Sequence, residues 1–165
     1  MPRSSPHVII ADRDAESFSL AERAQVKADA MYRAALDCCY HHERYGRLLT
    51  RPALEAEHRL ASQMCALCDE ALGKMAAIYE SAAARLQPEA ERARPEWWQK
   101  ANGLWHASRE YHRRHGGCDR MTRRLTEHGP DALTELMVEF ELEQSALMAL
   151  RQAAEAYHKV RPDLA

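Results

Sequence analysis

The sequence predicts an all-α fold, an antiparallel up-down-up-down four-helix bundle with a short N-terminal tail. Three observations carry that expectation. Prolines at positions 2, 6, 52, 88, 95, 130 and 162 cut the chain into four long proline-free stretches. Between them Ala, Leu, Glu, Arg, Gln and Met dominate, all strong helix formers. Within each stretch, seam residues recur at alternating spacings of three and four, as in helices packed at a small angle.

The tail covers residues 1–18, and its "HVII" at 7–10 is the one strand-like run in the chain. A first helix is expected over about 19–49. Ser19 with Glu22 reads as a capping box. Its seam is Met31, Ala35, Cys38, His42, Tyr45 and Leu49. The second helix is expected over about 52–87, opened by Thr50 and Pro52 and closed by Pro88. Its seam is Leu54, His58, Ala61, Cys65, Cys68, Leu72, Met75, Tyr79, Ala82 and Leu86. The third spans about 95–127 from a first-turn Pro95, with Gly116-Gly117 as a candidate break. Trp97, Ala101, Leu104, Ser108, Tyr111, His115, Cys118 and Leu125 form its seam. Gly129-Pro130 stops one helix and starts the next, over about 131–160. That last seam is Leu133, Leu136, Phe140, Glu143, Leu147, Leu150, Ala154 and Tyr157. Short connections between four such helices give the antiparallel bundle, expected to occupy residues 19–165 as one domain.

Composition bounds the function. A chain of 165 residues can bury a core without disulfides or metal. A formal net charge of −2 argues against non-specific binding to nucleic acid or to an acidic membrane surface. No run approaches the roughly 20 apolar residues that span a bilayer, and the N-terminus lacks a signal peptide's apolar stretch. A cytoplasmic location is therefore expected, with the five cysteines as thiols.

Chemistry concentrates in three places. "DCCYHHERY" at 37–45 holds two cysteines and two histidines, but a helix divides them between faces, leaving Cys38, His42 and Tyr45 inward. If helices one and two turn near residue 50, His42 and His58 stand level and form a buried pair. Glu55-x-x-His58 occurs once, whereas di-iron carboxylate bundles need that motif on two helices.

The sharper set is Cys65-x-x-Cys68 with His115-x-x-Cys118. A turn near 91 or 92 makes Cys65 level with Cys118, and Cys68 level with His115. Three thiolates and an imidazole suit tetrahedral zinc, with Glu143 of helix four placed to orient His115 from behind. Cysteine equally serves as a small buried hydrophobe, so the same positions read as plain core, with no cofactor.

Arg109, Arg113, Arg120 and Arg124 could make an anion-binding stripe on helix three. Asp131, Glu135, Glu139 and Glu143 on helix four lie where they would neutralise it, with Arg124 level with Glu135 and Arg120 with Glu139. One of Trp97 and Trp98 must leave the seam, since neighbours on a helix differ by about 100°, and an outward Trp suits an interface. No glycine loop for phosphate and no nucleophile beside a base points to an enzyme. The expected function is a non-catalytic interaction or assembly module whose partner is itself or another helical protein. A zinc-type metal-binding bundle is the alternative, and a nucleic-acid-associated subunit the third reading.

Overall fold

The computed structural model describes residues 19–49 and 54–163, apart from the side chains of residues 49, 89, 117–123, 125 and 126. The HVII tail, Thr50, Pro52 and the side chains of Cys118 and Arg120 lie outside that set. Four long helices run as α1 (Leu20–Leu49), α2 (Glu55–Ala93), α3 (Glu96–His128) and α4 (Leu133–Val160), with a 3-10 turn at Gly129–Ala132. The described residues hold no strand. No described helix is long and apolar enough to cross a membrane.

The helix ends follow local chemistry. At the start of α1, the Ser19 N–H donates to Glu22 Oε2 and the Glu22 N–H to Ser19 Oγ, both at 3.1 Å, the reciprocal capping box. Gly129, at φ +73°, makes the sharp exit from α3 that only glycine makes without strain. Gly116-Gly117 does not break α3, which is continuous from Glu96 to His128.

One end differs from expectation. Pro88 was expected to stop α2 at residue 87, yet the helix runs through it to Ala93. Proline costs one backbone bond and crowds the preceding turn. Tertiary packing outweighs that here, because Leu86 and Ala90, on either side of Pro88, bury with Ala24 of α1 and Trp98 of α3. Pro88→Ala should therefore stabilise the protein by about 1–3 kcal/mol, read as a rise in Tm. An unchanged Tm would mean that the packing depends on the distortion Pro88 imposes.

Pairwise contacts fix the topology. Tyr79 donates to Asn102 at 2.7 Å and Asp69 meets Tyr111, so residue numbers fall on α2 as they rise on α3. Arg124 meets Glu135 at 2.9 Å and His115 approaches Glu143, which reverses α4 against α3. Tyr32 bonds His158 at 2.8 Å and Glu43 meets Arg151, which closes α4 against α1. Neighbouring helices are antiparallel throughout. The α2–α3 and α3–α4 levels match those that turns near 91 and 129 dictate.

The α1–α2 level does not match a turn at 50. Ala24 packs with Leu86 and Ala90, and His42 lies against Asp69. This offset of several residues carries His58 beyond the level of His42, and His58 is half-buried instead of facing it.

The main core cluster is led by Met31, Leu72, Tyr79, Leu104, Tyr111, Leu150 and Tyr157, and a smaller one joins Ala24, Leu86, Ala90 and Trp98. On α2 the buried line is Cys65, Asp69, Leu72, Ala76 and Tyr79. The expected seam members Cys68 and Met75 are half-buried flanks of it. On α4, Glu143, Leu150, Ala154 and Tyr157 are buried as expected, while Leu133 and Phe140 stand 46% and 53% exposed.

Candidate functional site

A polar layer crosses the apolar core, and its centre is Asp69. Burial follows from position: Asp69 sits four residues after Cys65 and three before Leu72, on the inward line of α2. Its carboxylate receives α1 and α3 together. His42 Nε2 lies 3.0 Å from Oδ1 and 3.2 Å from Oδ2. The Tyr111 hydroxyl donates to Oδ1 at 2.9 Å, and His115 Nε2 lies 3.1 Å from Oδ2. The Cys38 thiol completes the ring at 3.5 Å. Tyr111 also touches His42 Nε2 through its hydroxyl. Behind His115, Nδ1 stands 3.5 Å from Oε2 of Glu143, the buried carboxylate of α4.

Each of the four helices thus contributes a histidine or a carboxylate to one level: His42, Asp69, His115 and Glu143. Proton accounting restricts their states. An ionised carboxylate only accepts, and its two oxygens offer about four lone-pair directions. His42 Nε2, Tyr111, His115 Nε2 and Cys38 must therefore all present hydrogen to Asp69. His115 faces a carboxylate from each ring nitrogen, Asp69 at Nε2 and Glu143 at Nδ1.

The electrostatics agree. Burial alone would raise the Asp69 carboxyl, but the hydrogen bond and charge of His42, the charge of His115 and the Tyr111 hydroxyl hold it below the ordinary range. Burial, then the Asp69 charge, pushes the Cys38 thiol and the Tyr111 phenol far up. Burial raises Cys65 to about 11 and also raises Cys68. These are protonated thiols, in the inert condition of structural cysteines.

The residues singled out from sequence are distributed unevenly. Cys65 is buried and Cys68 half-buried on α2, Cys118 has no described side chain, and His115 turns its ring nitrogens to Asp69 and Glu143. Glu143 does stand behind His115, as its level on α4 predicts. Among the described residues no group of three or more His, Cys, Asp or Glu side chains is placed, as it stands, to hold a metal ion. His42 takes Asp69 and Tyr111 as partners in place of His58. The arginine stripe is met by carboxylates at three of its four positions. Arg109 is 3.8 Å from Glu80 and lies over the Trp105 ring, Arg113 binds Glu110 through two nitrogens, and Arg124 binds Glu135.

The outward tryptophan expected at 97–98 is not found. Trp98 is buried with Ala24, Leu86 and Ala90, and Trp97 packs half-buried against both core clusters. Their rings meet edge to face at 6.0 Å, which closes the bundle end.

Asp69 itself was not among the residues read from sequence. The signal existed: Cys65, Asp69, Leu72, Ala76 and Tyr79 keep the four-three spacing as well as the neighbouring line does. No family model, curated protein or solved structure matches this chain. Its function is therefore argued from its own side chains.

Proposed function

We propose that the protein is a non-catalytic assembly module that associates with copies of itself head to tail. The observation that supports this is an exposed apolar and acidic face on the first half of α4. Leu133, Met137, Val138 and Phe140 are 46%, 58%, 51% and 53% exposed. Residues 131–142 include Asp131, Glu135, Glu139 and Glu141 but no lysine or arginine. Contiguous apolar surface of this kind on a small chain marks an interaction site.

A complementary surface lies at the opposite end. The groove between the start of α1 and the second half of α2 has a volume of about 580 Å³. Leu20, Val26, Ile78 and Ala82 line it, and Arg23, Lys27 and Arg85 rim it. No acidic residue lines it, and no carboxylate among the described residues pairs with those three cations. Apolar matches apolar and acid matches base, which favours one orientation and speeds encounter. Because the two surfaces differ, the contact is heterologous and propagates into rings or filaments.

Sedimentation tests this directly. The parent should form species larger than a dimer at high micromolar concentration, dissociating as salt rises. Met137→Glu/Phe140→Glu should be monomeric, and so should Arg23→Glu/Arg85→Glu, with helical circular dichroism intact. Mixed together, the two variants should form a dimer and nothing larger, because each retains one good surface. A monomeric parent, or a mixture that stays monomeric, overturns the proposal.

A further inference from the structure

Beyond assembly, we propose that His42, His115 and Asp69 form a site for one divalent first-row transition-metal ion, of the two-histidine, one-carboxylate kind. Three helices bring these donors together. Both Nε2 atoms already lie against one carboxylate, at 3.0 and 3.1 Å. The two imidazole rings are 5.9 Å apart between centres and inclined at 79°. With metal–nitrogen bonds of about 2.0–2.1 Å, two rings sharing one ion have centres roughly 5–6 Å apart. The spacing of the rings therefore suits an ion between them.

The surroundings supply what such a site needs. Glu143 stands at Nδ1 of His115, the atom facing away from the proposed ion. Metal-bound histidines are held in this way, with a carboxylate that fixes the tautomer and strengthens the ligand. Tyr111, bonded to both His42 and Asp69, sets its hydroxyl beside the same donors.

Charge argues the same way. Asp69 and Glu143 are two buried carboxylates, and among the described residues neither has a lysine or arginine partner. Buried charge is paired or coordinates metal. A dication held between the donors would balance these two negative charges. Binding requires each Nε2 to be free of its proton, so affinity for the ion should fall in acid. The site differs from the cysteine set expected from sequence, keeping His115 and Glu143 and replacing sulfur by His42 and Asp69.

The full chain, without an affinity tag and stripped by chelator, should be titrated with cobalt(II) and separately with zinc(II). One equivalent of cobalt should give visible d–d bands without a sulfur-to-cobalt charge-transfer band, and zinc should raise the Tm. Cys65→Ser/Cys68→Ser should bind as the parent does. Glu143→Gln should fold and bind about 10–100-fold more weakly. His42→Asn and His115→Asn, each verified as helical, should lose the bands and the zinc-dependent rise. A parent that binds neither ion overturns the proposal. So does binding retained by both histidine variants, or a charge-transfer band that disappears in the cysteine double variant.

Discussion

Asp69→Ala should destabilise the bundle by about 3–5 kcal/mol, the usual cost of removing one partner from a buried ionic pair. The carboxylate is 4% exposed and is the shared acceptor for His42, Tyr111, His115 and Cys38. Its loss leaves these donors facing a cavity, and each unsatisfied buried group costs about 1–3 kcal/mol. Asp69→Asn should cost less, since the amide oxygen still accepts from some of these donors, although an NH2 group replaces the second accepting oxygen and the charge is lost. The same group makes stability depend on acid. Its carboxyl is held below the ordinary range, because the bonds from His42, His115 and Tyr111 outweigh burial. A lowered folded value means that the contribution is complete above the unfolded carboxyl value, about 3.9. It disappears as pH falls through the folded value. Denaturant melts of chelator-stripped protein, taken from neutral pH into acid, should show the parent losing stability over this window more steeply than Asp69→Asn. Parallel pH profiles would mean that Asp69 carries no proton-linked stability.

Why Asp69 escaped the sequence reading is a matter of helix phase. Two lines one residue apart run along α2: Cys65, Cys68, Leu72, Met75, Tyr79, and Cys65, Asp69, Leu72, Ala76, Tyr79. Apolarity favours the first, since it contains Met75 and no charge. The structure buries the second, because small Ala76 lets the helices approach and Asp69 finds four donors across the gap. Hydrophobicity cannot report a carboxylate whose burial is justified only by residues 27 to 46 positions away in the chain.

Register was legible where connections are tight. Two residues separate α2 from α3 and a single 3-10 turn separates α3 from α4, so the levels of Cys68 with His115, Arg124 with Glu135, and His115 with Glu143 follow from counting. Between α1 and α2 the turn at 50 was a poor origin, because the helices are offset by several residues and His42 meets Asp69 in place of His58. The first half of α4 deceived in another way. Leu133 and Phe140 carry the spacing of a core seam but remain half exposed. Periodicity reports that a helix has an apolar face, and says nothing of whether the cover belongs to the same chain.

That ambiguity sets the second large effect, at the opposite end of the bundle. Trp98→Ala should cost about 3–5 kcal/mol in folding stability and leave self-association intact. Trp98 is 8% exposed and closes a small cluster with Ala24, Leu86 and Ala90. The other three members are small or medium side chains, so most of the buried area there belongs to the indole. Helix backbones anchored by alanines cannot collapse far into the space it vacates, which places the cost at the upper part of the range for large-to-small changes. Phe140→Ala should show the reverse pattern. Its ring is already half in water, so folding stability should move by less than about 1 kcal/mol while the assembly weakens. Thermal melts and sedimentation on the two variants separate a residue that closes the bundle from one that docks a neighbour. If Trp98→Ala dissociated the protein at unchanged Tm, the tryptophan would be an interface anchor and the packing of this end would need revision. If Phe140→Ala melted the bundle instead, the exposed half of α4 would belong to the core.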